Sequence, residues 1–220
     1  MDWKQYVLDF VEGRVKPAEF IETCEKSEEV FDWIQSVIPK QKTFYKKYIQ
    51  DGKLEQEIAP YDIRCVWRDF LYEAKGHTKL GRLLNLHSEI TKLYQESFPN
   101  EIIHPDKTIE EKFDFFLDAC PEYIGSDAPE MEELLERLYR EVPENLSKTR
   151  RIKLFKQNLK NLFHVEGHKY PRWLQGPEWP LSATGKPMRF TGQKKINEDM
   201  NVYWFEDIDT KEKKKIIQFT

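Results

Sequence analysis

Along most of the chain, apolar residues recur at spacings of three and four, the period of a helix that buries one face. Trp3, Tyr6, Val7 and Phe10 set the first such stripe, and Gly13 stops it. Pro17 suits a first helical turn and opens a run carrying Phe20, Ile21, Cys24, Val30, Phe31, Ile34 and Ile38, which Pro39 ends. Residues 40–60 fit neither period cleanly, and Asp51-Gly52 is a turn that could join two short strands. Helical patterning resumes with Asp62 as N-cap, and Ile63, Val66, Trp67, Phe70 and Leu71 share a face. After Gly76 a stripe runs through Leu80, Leu83, Leu84, His87, Ile90, Leu93 and Tyr94 as far as Pro99. Thr108 with Glu111 three residues on reads as a capping box for a helix ending at Cys120-Pro121. Asp127 and Pro129 open another helix, closed by Pro143. Ser147 caps a last one that is expected to run to Gly167.

Beyond Gly167 the period changes to two. "KPMRFTGQ", "NVYWFED" and "KKIIQFT" read as strands, with turn residues between Asn197 and Asn201 and from Asp209 to Glu212. Short connections make them an antiparallel meander. The expected fold is therefore α+β: a helical body over 1–166, then a Pro/Trp-rich crossover and a small antiparallel sheet over 167–220, packed together as one unit. In the crossover Pro171, Pro177, Pro180 and Pro187 restrict the backbone, while the broad faces of Trp173 and Trp179 can pin it to the helices. An ordered aromatic loop on a rigid scaffold is also a good binding surface, so both tryptophans are candidate partner contacts.

Composition narrows the class. Aromatic residues at 14% and hydrophobic residues at 39% support a packed core, and 34% charged residues imply a heavily solvated surface. No apolar run approaches the roughly 18 residues of a membrane helix, and the first residues lack a basic-then-apolar leader. Cys24, Cys65 and Cys120 are odd in number and sit in helical patterns, as reduced thiols do. The expectation is a cytoplasmic protein with no membrane partner. A net charge of -4 argues against general nucleic-acid binding and suits a basic protein partner.

The run "PEWP...SATGKPMRFTGQ" resembles the loop that leads into a strand in YwqG-like bacterial proteins. "DFVEGRVKPAEFIETCEKSEEVFDWIQ" is similar to the opening of small Firmicute proteins found beside polymorphic toxins. Together they imply a bacterial accessory protein of the toxin-immunity kind. YwqG-like proteins are mostly sheet whereas this chain is mostly helical in pattern, so neither their fold nor any functional residue carries over.

Candidate chemistry is thin. His164 and His168 flank Glu166, but a zinc-protease helix needs Glu directly after the first His, and no third ligand is evident. Asp207 and Asp209 resemble the acidic pair of haloacid-dehalogenase enzymes, yet only eleven residues follow, too few for the remaining machinery; a turn from Asp209 is the simpler account. His87, on an apolar face, reads as a satisfied core residue. No nucleophile elbow, phosphate loop or dinucleotide fingerprint is present.

The resulting expectation is a non-catalytic protein-binding protein with no metal or cofactor, in its sharpest form an immunity protein that neutralises a basic toxin domain. Acidic helices over 19–32 and 130–141, with Glu130, Glu133 and Glu136, would supply charge complementarity, and Trp173 and Trp179 would be anchors. Two alternatives stand beside it. One is a hydrolase-like enzyme starting from His164, Glu166 and His168. The other is a nucleic-acid-associated regulator using Lys153, Lys156 and Lys160 on the basic helix 148–160, whose simpler account is ion pairing with the acidic helix before it.

Overall fold

The apolar stripes of period 3.6 become helices, one of them split in two, and the runs of period two become strands. A computed structural model describes residues 1–38, 42–50, 53–72, 78–125 and 129–220. Among them the order is α1 (Trp3–Val11), α2 (Pro17–Lys26), α3 (Glu29–Val37), β1 (Thr43–Gln50), β2 (Lys53–Pro60), α4 (Ile63–Leu71), α5 (Lys79–Ser97), α6 (Thr108–Ala119), α7 (Pro129–Glu141), α8 (Lys148–Leu162), β3 (Arg189–Asn197), β4 (Met200–Glu206) and β5 (Lys213–Phe219). The fold is α+β, with a helical body followed by a C-terminal antiparallel sheet. β1 and β2 pair antiparallel as the ambiguous stretch allowed, from Thr43 opposite Pro60 to Gln50 opposite Lys53. The Asp51-Gly52 turn and the Asp127 cap lie outside the described residues.

By compactness the chain divides into residues 1–113 and 114–220. The three-stranded sheet follows α8, and α7 and α8 bury their apolar faces in the same cluster as β4. In the first unit, Phe10 of α1 stacks on Phe20 of α2 with ring centroids 3.8 Å apart, and Tyr6 Oη donates to Thr23 Oγ1 at 2.7 Å. His87 is buried against Phe10, and its Nε2–H donates to the Val11 carbonyl at 3.1 Å. A carbonyl can only accept, so this contact fixes the tautomer and makes His87 a satisfied core residue.

Helix ends show where local pattern misleads. The run expected to continue from Pro17 to Ile38 breaks at Ser27, which turns extended, and its Oγ accepts the Glu29 amide at 3.2 Å. Thr108 is the first helical residue of α6 and not its cap; Asp106 accepts both its amide (3.0 Å) and its hydroxyl (2.7 Å). Helix α8 stops at Leu162, short of Gly167, because His164 adopts a left-handed φ of 52°. The His164 amide then bonds back to the Asn161 carbonyl (3.2 Å) and that of Val165 to Lys160 (2.8 Å), closing the orphan carbonyls. At the end of α1 the same closure is made with Gly13 at φ 77°. Glycine adopts that conformation at no steric cost, whereas His164 adopts it as an exposed residue between the buried Phe163 and Val165.

Candidate interaction face

The proline-rich crossover explains how the sheet is mounted. Its second half closes on itself through a single antiparallel bridge between Leu181 and Pro187, whereas over residues 172–176 the backbone polar groups take side-chain partners. Gln218, 1% exposed on β5, accepts the amides of Leu174 (3.0 Å) and Gln175 (3.1 Å) and donates to the Gly176 carbonyl at 2.8 Å. Tyr203 Oη donates to the Arg172 carbonyl at 2.9 Å, and Gln193 accepts the Arg172 amide at 2.7 Å. The tryptophans complete the mounting. Trp179 is 5% exposed, its Nε1–H donates to the Met188 carbonyl at 2.8 Å, and its ring meets Phe163 and Phe205 edge-on. Trp173 is half-buried, with Nε1–H on the Tyr123 carbonyl at 2.8 Å and its ring 4.6 Å from that of Tyr203. Both rings are occupied in holding the segment.

The inner face of the β3-β4-β5 meander is thereby settled: Tyr203 and Phe205 point into the core. Alternation sends Met200, Val202, Trp204 and Glu206 to the other face. Register sets Phe219 beside Met200, Ile217 and Lys194 beside Val202, Gly192 and Lys215 beside Trp204, and Arg189 and Lys213 beside Glu206. Trp204 and Ile217 are each 38% exposed, Phe219 is 55% exposed and Ile196 is 48% exposed. Val202 is buried yet belongs to neither core cluster, so its outer-face neighbours cover it. A methyl group at Gly192 would meet no atom within 4 Å, which leaves the flank of Trp204 open. Single exposed apolar residues are ordinary, but a continuous row crossing two strands is not.

Charge frames this row. Arg189 Nη2 lies 3.3 Å from Glu206 and Lys211 Nζ 3.9 Å from the same oxygen, so that carboxylate is shared. Lys194, Lys213 and Lys215 are exposed, and no ion pair forms to them among the described residues.

The helical candidates are placed differently. Glu130 and Glu133 are exposed on α7, opposite the buried Met131, Leu134, Leu135 and Leu138, whereas Glu136 accepts from Arg140 Nε at 3.2 Å. In the 19–32 segment Glu22 pairs with Lys26, and Glu28 and Asp32 both meet Arg64. Lys153, Lys156 and Lys160 are exposed on α8, while Arg151 packs over the rings of Phe115 and Tyr139. Neither helix exposes large apolar area beside its charges.

His164, Glu166 and His168 are exposed, and the left-handed turn at His164 removes the shared helical face that two metal ligands would need. Among the described residues no three His, Cys, Asp or Glu side chains gather as metal ligands would. His164 lines a cleft of about 520 Å³ with Asn158, Asn161, Lys186, Asp207 and Asp209. The acidic pair there is engaged: Asp207 Oδ1 accepts the amides of Asp209 (2.8 Å) and Thr210 (3.3 Å), and Asp209 meets Lys186 Nζ at 2.7 Å. The turn therefore begins at Asp207, two residues before the expected Asp209. The amide of Asp209 holds the Asp207 carboxyl below its ordinary range. No helix among the described residues is long and apolar enough to cross a membrane.

Trp204, Ile217 and Phe219 did not stand out in the sequence. The available signal was the unbroken apolar run "VYWF" in β4, which fills both faces of a strand when one core can cover only one. Set against family models, curated proteins and solved structures, the chain matches none.

Proposed function

We propose that this protein is a non-catalytic protein-binding module and that it makes contact through the outer face of β3–β5. The observation that carries this reading is the continuous row of Phe219, Ile217 and Trp204, exposed on a sheet whose other face is already packed. Affinity at interfaces comes mainly from desolvating aromatic and aliphatic anchors, while charged rims set approach and selectivity. The sheet face combines anchors with charges. The α7 face with Glu130 and Glu133 has the charges alone, and Trp173 and Trp179 are taken up by the fold. An immunity protein masking a toxin domain is the biological form of this reading, supported by the resemblance of the N-terminal stretch; there the acidic α7 surface would steer a basic toxin without anchoring it.

Quantitative capture from lysate of the source organism tests the assignment. Wild type, Trp204→Ala, and Glu130→Lys/Glu133→Lys are compared as baits. The sheet variant is expected to lose the captured protein by about tenfold or more, a hot-spot-sized loss. The α7 variant is expected to change salt dependence and capture rate with little loss at equilibrium. Full retention by Trp204→Ala, with loss on the α7 variant, would move the contact to the acidic helix.

A further inference from the structure

The same face specifies the chemistry of what it binds. We propose that the outer face of β3–β5 receives an acidic amphipathic helix of a partner protein, laid along the strands over Trp204. This rests on the protein-binding reading above and names its occupant.

Dimensions favour a helix. Three strands about 4.8 Å apart span roughly 10 Å, the width of one helix with its side chains. The seven residues of β4 run about 23 Å, the length of roughly fifteen helical residues. Along that length the floor is Met200 and Trp204, with the already covered Val202 between them and Ile217 and Phe219 beside, suited to the apolar stripe of an amphipathic helix. Lysines flank this floor on both sides, Lys194 from β3 and Lys213 and Lys215 from β5. No carboxylate pairs with any of the three among the described residues. Acidic residues on the two shoulders of the incoming helix would meet them.

Two other occupants fit less well. A second copy related by a two-fold axis would bring this lysine rim against itself, like charge on like. A single-stranded nucleic acid would find the lysines, but bases stack on aromatic faces, and the floor between Trp204 and Phe219 is aliphatic.

The test titrates the full-length protein, in low and high salt, with three probes. They are a synthetic helix of about fifteen residues with Leu on one stripe and Glu on both shoulders, its counterpart with Lys for every Glu, and a single-stranded oligothymidylate. The acidic helix is expected to bind at least about tenfold tighter than the lysine helix and to weaken with salt. Trp204→Ala is expected to weaken it about tenfold or more, and Lys213→Glu/Lys215→Glu to reverse the preference between the two helices. The lysine pair is exposed, so its reversal reads the proposal even if the Trp204 variant disturbs the sheet. Equal affinity for both helices, tighter binding of the oligonucleotide, or a sedimentation shift showing self-association through Trp204 would each overturn it. If the acidic helix fails while Trp204→Ala still loses the captured protein, this occupant falls and the protein-binding reading stands. If lysate capture is also indifferent to Trp204, both fall.

Discussion

Trp179→Ala separates the two roles that sequence allows for the crossover tryptophans. The ring is 5% exposed, meets Phe163 at 5.0 Å and Phe205 at 5.5 Å between centroids, and its Nε1–H is bonded to the Met188 carbonyl. A tryptophan buries roughly 150–250 Å², about 4–6 kcal/mol at 25 cal/mol per Å², and large-to-small changes at such sites cost about 3–5 kcal/mol. A loss of about 4 kcal/mol is therefore expected for Trp179→Ala. Trp179→Phe keeps a ring in the slot but strands the buried Met188 carbonyl, at a cost of about 1–3 kcal/mol. The assay is equilibrium urea unfolding followed by far- and near-ultraviolet circular dichroism, with partner capture measured on the same samples. The expected order is wild type, then Phe, then Ala, with capture falling only as the folded fraction falls. A Trp179→Ala protein within about 0.5 kcal/mol of wild type would refute the packing argument. Lost capture at unchanged stability would return Trp179 to the partner surface.

The cysteines and the β4–β5 turn give two further expectations. Burial pushes the Cys24 and Cys120 thiols up to about 12, so at pH 8 only roughly one in ten thousand of either is ionised. Cys65 and Cys120 are both half-buried, but with the Cys24 and Cys120 thiols held protonated a thiol-specific reagent should promptly consume one equivalent in the native protein, at Cys65, and three after unfolding; three fast native equivalents would contradict the packing of α2 and α6. Asp207, held below the ordinary 3.8 chiefly by the Asp209 amide, stabilises the turn in its ionised form. That contribution is complete above about pH 5, begins to fall near the unfolded value of 3.8, and is lost as pH falls through the lowered folded value. The stability gap between wild type and Asp207→Ala should be constant from neutral pH to about pH 5 and narrow in acid; a gap that widens in acid would reverse the assigned sign.

Much of this architecture could be read along the chain, because helix and meander are written in local periods. The stripe of Tyr6, Val7 and Phe10, the cap at Asp62 and the stop at Gly13 each depend on neighbours within a turn or two. The helix ends that differed lie at Ser27, whose hydroxyl accepts the Glu29 amide at the start of the next helix, and at the exposed His164, which takes a left-handed turn without being a glycine. At the start of α6 Thr108 lies inside the helix, and Asp106, two positions before it, accepts its amide and hydroxyl; both are good acceptors, and only the path of the chain chooses between them.

The candidate face was the least legible part. The alternation in "NVYWFED" divides Val202 and Trp204 from Tyr203 and Phe205, but both sets are apolar, so period alone cannot say which turns inward. Likewise, nothing local distinguishes Trp179, which became core, from Trp204, which became surface. The sequence by itself determined the helices, the three-stranded meander and the stiff crossover, since each follows from side-chain period and the backbone limits of proline and glycine. Tertiary structure alone decided which aromatic rings were spent on the fold. Phe163 and Met188 meet Trp179, and the mounted crossover claims Tyr203 and Phe205, so one sheet face is covered and the other is left with Trp204, Ile217 and Phe219 in solvent.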